Sequence, residues 1–178
     1  MKHLFIFLIL GNALALAACS TPIAKNYNSI FYSVPVNSTL TLNKDITIPA
    51  NLARRFFQNG KAIKESDVNI YYPHCSILMD TLVDYERTIK PTTFKIYKIL
   101  DDEQEARLYI KFASNFIKVN DGPIIVGFVS YYYLRSANNP DINSLECVQW
   151  NDPYIDEYLT VNEIKKSLGD YFTLQIND

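Results

Sequence analysis

Histidine is scarce in this sequence, and the shortage excludes several kinds of active site. Of the 178 residues only His3 and His74 are histidines, and His3 belongs to an N-terminal leader segment. A zinc site needs three or four suitably spaced ligands, and no His/Cys set with such spacing is present. A Ser-His-Asp triad could be assembled only around His74. We therefore expect no metal site and no cofactor.

His74 itself favours a structural role. Its neighbour Cys75 invites a thiol–imidazole pair, in which the ring must lie within hydrogen-bond reach of the sulfur. Adjacent residues of a strand point to opposite faces of the sheet, so such a pair is disfavoured.

Motifs of other enzyme classes are missing too. The sequence has no Gly-x-Ser-x-Gly, no P-loop and no His-Glu-x-x-His. Two carboxylates across a cleft stay possible, with Asp80 and Glu146 as one example, although 19 acidic residues supply such pairs by chance. We expect no catalytic residues.

An excess of positive charge is absent as well. The chain has 17 Lys and Arg against 19 Asp and Glu, a formal net charge of −2, and no basic cluster. Proteins that bind nucleic acid neutralise its phosphates with clustered Lys and Arg. No nucleic-acid partner is therefore expected.

The first 18 residues have the order of a secretory leader. A positive start at Lys2 precedes an unbroken apolar run over residues 4–10, Ala13-Leu14-Ala15-Leu16 continues it after Gly11-Asn12, and the small residues Ala17-Ala18 end it. From residue 4 to residue 18 there are 15 residues, too few to cross the roughly 30 Å hydrocarbon core as a helix. We expect the leader to be cleaved.

The end of the leader, Leu16-Ala17-Ala18-Cys19, resembles the lipobox of bacterial lipoprotein precursors. The resemblance implies cleavage before Cys19, a diacylglycerol on the Cys19 sulfur and usually a third acyl chain. Two or more chains hold a protein stably at a membrane. The alternative is an ordinary secretory signal cut after Ala17, which would leave Cys19 as a plain thiol.

The residue after the lipobox cysteine predicts the membrane. An Asp there usually signals retention in the inner membrane in this family, and Ser20 stands in its place. The resemblance thus implies a lipid anchor in the outer membrane, if the host has two membranes, with the domain facing the periplasm.

Three segments are expected along the chain. Residues 1–18 are the signal peptide, residues 19–38 the lipidated N terminus and a polar tether, and residues 39–178 a single β-rich domain. Aromatic residues within the tether favour its lying partly along the domain, as an edge segment.

Three cysteines are an odd number for an exported protein. Assigning Cys19 to lipid leaves Cys75 and Cys147, which we expect to form a disulfide in an oxidising compartment. Two separately buried thiols are the alternative.

Short strand patterns separated by turns dominate the rest of the chain. Strands are predicted within residues 40–48, 52–58, 68–79, 93–100, 108–112, 124–134 and 145–150. Asn59-Gly60 predicts a hairpin turn, the acidic residues 101–105 predict another turn, and residues 120–123 predict a third. Residues 124–134 are apolar on both parities, as in a central strand.

One helix is predicted, near the C terminus. Thr160 and Glu163 have capping-box spacing, Leu159 and Ile164 are placed for a hydrophobic staple, and Gly169 is a stop signal. The expected fold is mainly β, an antiparallel sandwich or partly closed barrel with one C-terminal α-helix over residues 161–168.

A second resemblance covers most of residues 40–169. The runs Ile48-Pro49-Ala50, Ala53-Arg54-Arg55-Phe56-Phe57-Gln58 and Tyr71-Tyr72-Pro73-His74-Cys75, together with Leu159-Thr160, Glu163-Ile164, Leu168-Gly169 and a late cysteine, carry it. They resemble a group of small, uncharacterised proteobacterial lipoproteins. The resemblance supports the lipid and the disulfide and implies no mechanism.

Aromatic residues are the main hint of a binding surface. There are 13 tyrosines, including Tyr71-Tyr72 and Tyr131-Tyr132-Tyr133, and one tryptophan, Trp150. Such rings suit a protein, peptide or glycan partner, although packing on the sheet is the commoner use.

The preferred hypothesis is a lipid-anchored envelope protein, a binding or structural module without a catalytic role. An envelope hydrolase or glycan-processing enzyme that uses acidic residues is the first alternative. A thiol redox protein is the second alternative, and it requires an accessible thiol.

Overall fold

The computed structural model describes residues 25–107, 124–155 and 157–177, and it is mainly β, with 48% strand and 10% helix. The described strands are β1 Thr39–Leu42, β2 Ile46–Ile48, β3 Arg54–Gln58, β4 Lys61–Ile63, β5 His74–Met79, β6 Arg87–Ile89, β7 Thr92–Arg107, β8 Ile124–Arg135, β9 Ile142–Asn151 and β10 Phe172–Gln175. The α-helix among the described residues is α1, Val161–Leu168.

Eight of these strands form one antiparallel sheet in the order β10-β1-β7-β8-β9-β5-β3-β4. The sheet curls into a half-barrel, and α1 packs against β3, β5 and β10. Strands β2 and β6 form a separate two-stranded sheet. The predicted fold class, mainly β with one C-terminal helix, is confirmed, and of the two predicted forms, a sandwich or a partly closed barrel, the structure has the partly closed barrel.

The core lies between the inner face of the half-barrel and α1. Phe57, Phe94 and Leu145 are fully buried there, with Ile164 and Leu168 of the helix. Large apolar side chains removed from water at this interface supply the main stabilisation of the fold.

The sequence signals of α1 are confirmed in detail. The Thr160 hydroxyl accepts a hydrogen bond from the backbone N–H of Glu163 at 3.3 Å, and the Glu163 carboxylate accepts from the Thr160 backbone N–H at 2.9 Å. These two bonds satisfy two otherwise unpaired amides of the first turn. Leu159 and Ile164 are both buried, and the helix ends before Gly169, whose φ is positive.

The acidic turn predicted at residues 101–105 is wrong. Strand β7 runs through these residues to Arg107, and each of them lies opposite a residue of β8. Strand β8 is long and apolar, so pairing with it outweighs the low strand propensity of Asp and Glu. The acidic side chains of Asp101, Asp102 and Glu103 remain exposed to solvent.

The strand predicted at residues 68–79 begins only at His74. Pro73 lies immediately before it, where a missing N–H costs no ladder bond. Residues 68–72 instead form a loop that reaches β3 and β9, because the Ile70 carbonyl accepts from the Trp150 N–H at 2.9 Å. The strand predicted at residues 108–112 and the turn at residues 120–123 lie outside the described residues.

The described part of the N-terminal segment, residues 25–38, packs on the domain. The backbone carbonyl of Tyr27 accepts from Asn162 of α1 at 3.2 Å, and Val34 is buried in the core. Asn37 donates its N–H to the Ile96 carbonyl at 2.8 Å just before β1 begins.

The described residues contain no helix long and apolar enough to span a bilayer.

Candidate functional site

Alternation along β8 divides its tyrosine run between two faces of the sheet. Tyr132 is buried in the core, whereas Tyr131 and Tyr133 lie half-buried on the outer face, away from α1. The run is therefore part core and part surface. We define the tyrosine face as Tyr97, Tyr131, Tyr133, Lys98 and Arg135.

A β-bulge brings the strand β7 residues into the tyrosine face. The pairing register of β7 against β8 shifts between Ile96 and Lys98, so that Tyr97 is an extra residue. A bulge of this kind places two consecutive residues opposite one partner. Here both Tyr97 and Lys98 lie beside Tyr133.

The rings and cations of the tyrosine face are in mutual contact. The ring centroid of Tyr133 lies 6.3 Å from that of Tyr97 and 6.5 Å from that of Tyr131. The Lys98 ammonium lies 4.8 Å from the Tyr133 centroid, and the Arg135 guanidinium lies 4.6 Å from the Tyr97 centroid. Each cation is attracted to the electron-rich ring and is held in place beside it.

The Tyr131 hydroxyl is held at the border of the tyrosine face. It accepts a hydrogen bond from the Gln104 amide at 2.6 Å. Burial raises the pKa of Tyr131, and the negative charges of Glu146 and Asp102 raise it further. The hydroxyl therefore stays protonated and can donate to a ligand.

An ion pair lies next to Tyr131 on the same face. The Arg54 guanidinium of β3 is 3.8 Å from the Glu146 carboxylate of β9, and Glu146 is mostly buried. Burial raises the pKa of Glu146, and the positive charge of Arg54 opposes this effect. Arg54 also lies over the Phe56 ring, at 5.7 Å from its centroid.

His74 has the environment of a structural residue. It is buried, and its Nδ1–H donates to the Tyr72 backbone carbonyl at 2.9 Å. Burial lowers the pKa of His74, an effect only partly opposed by that hydrogen bond, so the ring is neutral near pH 7. Its neighbour Cys75 points to the opposite, inner face.

Cys75 and Cys147 form a disulfide, consistent with the expected pairing. They lie directly opposite each other on β5 and β9, with their Cα atoms 4.0 Å apart and an S–S distance of 2.10 Å. Both are fully buried in the core. A redox exchange site needs an accessible sulfur, so the burial of both cysteines argues against the redox hypothesis.

The carboxylates of Asp80 and Glu146 are not brought together. Glu146 lies opposite Ser76 of β5, and Asp80 follows Ser76 by four residues. At the spacing of a strand, four residues place Asp80 about 13 Å from Ser76. The two carboxylates of a glycosidase are about 5–10 Å apart. Asp80 instead accepts a hydrogen bond from Asn143 at 2.5 Å.

A recess of about 440 Å³, not foreseen in the sequence, lies between the β6 region and the β8–β9 connection. It is bordered by Arg87 and Asp141, whose side chains pair at 2.5 Å, and by apolar residues such as Met79 and Ile89. The Thr81 hydroxyl donates a hydrogen bond to the Asp141 carboxylate, and the Thr81 backbone carbonyl accepts one from the Arg87 guanidinium at 2.8 Å. These bonds hold Thr81, Arg87 and Asp141 together at the border of the recess, while the buried Arg87 Nε has no hydrogen-bond partner among the described residues.

Metal binding finds no support in the part of the chain that the structure describes. No group of three or more His, Cys, Asp or Glu side chains there could hold a metal ion. Cys19, the expected lipid attachment site, lies outside the described residues.

The tyrosine face was only half visible in the sequence. The run Tyr131-Tyr132-Tyr133 indicates an aromatic surface, but Tyr97, Lys98 and Arg135 belong to no sequence motif. Their grouping depends on the pairing of β7 with β8, which period-2 alternation alone does not reveal.

The chain matches no family model, no curated protein and no solved structure. Its function is therefore inferred from the geometry of its own residues.

Proposed function

We propose that this is a lipid-anchored protein of the cell envelope whose β-rich domain binds an anionic glycan through the tyrosine face. The observation that carries the proposal is the row of three tyrosines on the outer face of the sheet, with Lys98 and Arg135 seated against two of the rings.

The mixture of rings and cations favours an acidic sugar polymer. Tyrosine offers a broad apolar surface with a hydroxyl at its tip, which suits the apolar and polar sides of a sugar ring. Arg135 offers two parallel N–H donors to a carboxylate or phosphate, and Lys98 offers a point charge. An acidic sugar bound on the tyrosine face would contact a tyrosine ring with its apolar side and a neighbouring cation with its acidic group.

The lipobox resemblance supports the membrane location. A diacylglycerol on Cys19, with a third chain on its amino group, would hold the protein stably, because two or more acyl chains are enough for lasting attachment. Tyr27, whose carbonyl accepts a hydrogen bond from Asn162 of α1, follows Cys19 by only eight residues, so the domain would sit close to the bilayer.

A binding role is supported over hydrolysis by the arrangement of the acidic residues. Asp80 and Glu146 are engaged with Asn143 and Arg54 at separate places on the sheet. The tyrosine face holds rings and cations, with Asp80 bordering the same recess as Tyr97 and Arg135, and it suits contact with a polymer.

Polygalacturonate is a suitable anionic probe for the full lipidated chain in detergent micelles. We expect the wild-type protein to bind it and not neutral dextran. Replacing Tyr97 or Arg135 with alanine should weaken binding about tenfold, since a ring or charged contact is worth about 1–1.5 kcal/mol. Isothermal titration calorimetry measures the change.

Tyr85→Ala is the matched control, because Tyr85 is also well exposed but lies before β6, away from the tyrosine face. Its affinity should equal that of the wild type. Equal affinity of all three variants, or no binding of polygalacturonate by the wild type, would refute the proposed glycan site. A protein partner that binds the wild type but not the Tyr97→Ala variant would show that the tyrosine face binds a protein and not a glycan.

A further inference from the structure

A second recess, of about 270 Å³, continues the tyrosine face at its Arg135 end. It lies over the end of β8, with Tyr97 of β7 on one side and Asn143 of β9 on the other. Asp80, the residue that follows β5, also borders it, and we call it the Asp80 recess. Pockets of about 300–1,000 Å³ hold drug-sized ligands, so this smaller recess suits one sugar unit of a longer chain.

Irregular strand pairing on both sides of β8 shapes the Asp80 recess. Strand β7 has its bulge at Tyr97. The pairing of β5 with β9 also shifts here, because Leu78 lies opposite Ser144 and Met79 lies opposite Ile142, which leaves Asn143 without a partner in β5. Such irregularities turn side chains away from the regular alternation of a strand and are common beside binding sites.

The Asp80 carboxylate is oriented by the protein through one of its oxygens. The Asn143 amide donates to Oδ1 of Asp80 at 2.5 Å, and the Asp80 backbone N–H donates to the Asp141 carbonyl at 2.8 Å. No hydrogen bond from a described residue reaches the other oxygen, Oδ2, and Asp80 is exposed to solvent. An ionised carboxylate accepts at both oxygens, so Oδ2 is available to a ligand that carries donors.

Asp80 and Arg135 give the recess two opposite charges that do not pair with each other. None of the ion pairs among the described residues joins them, and the Arg135 guanidinium lies against the Tyr97 ring instead. The recess therefore offers a cation to an acidic group and an acceptor to hydroxyl groups. An acidic sugar carries both kinds of group on one ring.

We infer that one unit of the bound glycan enters the Asp80 recess and donates two neighbouring hydroxyls to the Asp80 carboxylate. Its acidic group faces Arg135, and its apolar side lies against the Tyr97 ring. Hydrogen bonds to a carboxylate are about twice as strong as those between neutral groups. The inference rests on the proposed glycan binding and adds one requirement to it, because the acidic sugar must carry two adjacent free hydroxyls.

Asp80→Ala tests the role of this carboxylate in the full lipidated chain in detergent micelles. Polygalacturonate is the probe, because each of its linked units keeps two adjacent free hydroxyls. We expect the dissociation constant to rise about tenfold when the acceptor is lost. Removal of a carboxylate that only repelled the anionic polymer would lower the dissociation constant, so the sign of the change separates the two roles. Isothermal titration calorimetry measures it.

Asp84→Ala is the matched control, because it makes the same change in net charge at an exposed aspartate outside the Asp80 recess. Its dissociation constant should equal that of the wild type or lie slightly below it. Asp80→Asn keeps the shape of the side chain and one acceptor oxygen, so its dissociation constant should lie between those of the wild type and Asp80→Ala. It guards against a loss of binding that comes from misfolding.

Fully O-acetylated polygalacturonate gives a second measurement, because it keeps the carboxylates and blocks the hydroxyls. The wild type should bind it about tenfold more weakly than the unmodified polymer, whereas Asp80→Ala should bind both polymers equally. An Asp80→Ala variant that binds polygalacturonate as tightly as the wild type, or that is equally sensitive to acetylation, would overturn this inference and leave the proposed glycan binding intact. No binding of polygalacturonate by the wild type would refute both.

Discussion

Replacing both Cys75 and Cys147 with alanine is expected to lower the free energy of unfolding by about 4 kcal/mol. The bond closes a loop with a sequence separation of 72, and in the chain-entropy model a crosslink of that span removes about this much freedom from the unfolded chain. Both sulfurs are buried in the folded protein, so the variant gains no favourable contact with solvent that would offset the lost stability. Urea denaturation with linear extrapolation measures the change.

The matched control for this prediction is the single variant Cys147→Ala. Because either substitution breaks the same crosslink, the single variant should lose nearly as much stability as the double variant. The free energy of unfolding of the wild-type protein, measured in the presence of reductant, should be lower by a similar amount. A loss below about 1 kcal/mol in the double variant would mean that the disulfide contributes little to the fold.

Gly169→Ala is expected to lower the free energy of unfolding by about 3–4 kcal/mol. Gly169 ends α1 with φ +56° and ψ −139°, a conformation that side chains make costly. A Cβ there would lie 2.4 Å from the Cα of Gly60 in the β3–β4 turn. Backbone strain and overpacking each cost about 1–3 kcal/mol. Neither the end of α1 nor the β3–β4 turn can move away easily.

Gly60→Ala separates the two contributions. Gly60 also has a positive φ of 74°, but its added Cβ would meet its nearest neighbour, the Cα of Gly169, at 3.4 Å, which is close to an ordinary contact. We expect it to cost only about 1 kcal/mol. Chemical denaturation of both variants side by side gives the comparison. Equal losses of stability in the Gly169→Ala and Gly60→Ala variants would show that the close contact at Gly169 does not contribute to the loss.

Local signals account for the parts of the fold that the sequence predicts well. The capping box of α1 lies within four residues, and the Asn59-Gly60 turn has positive φ at both positions. Signals of this kind depend on near neighbours, so no tertiary contact is needed to interpret them.

Pairing between distant strands accounts for the parts that were predicted wrongly or missed. The acidic residues 101–105 have the composition of a turn, yet their partners in β8 are some 25 residues away and keep them extended. The tyrosine face has the same origin. Tyr97 joins Tyr133 only because one residue is inserted in β7, and a single shift in register would move the face to the core side.

The proposed membrane location depends on the lipid at Cys19, and the mass of the N-terminal peptide from membrane-extracted protein tests it directly. We predict a mature chain that begins at Cys19 and carries a diacylglycerol thioether, with or without a further acyl chain on its amino group. A mature chain that begins at another residue, or one with an unmodified Cys19, would contradict the account.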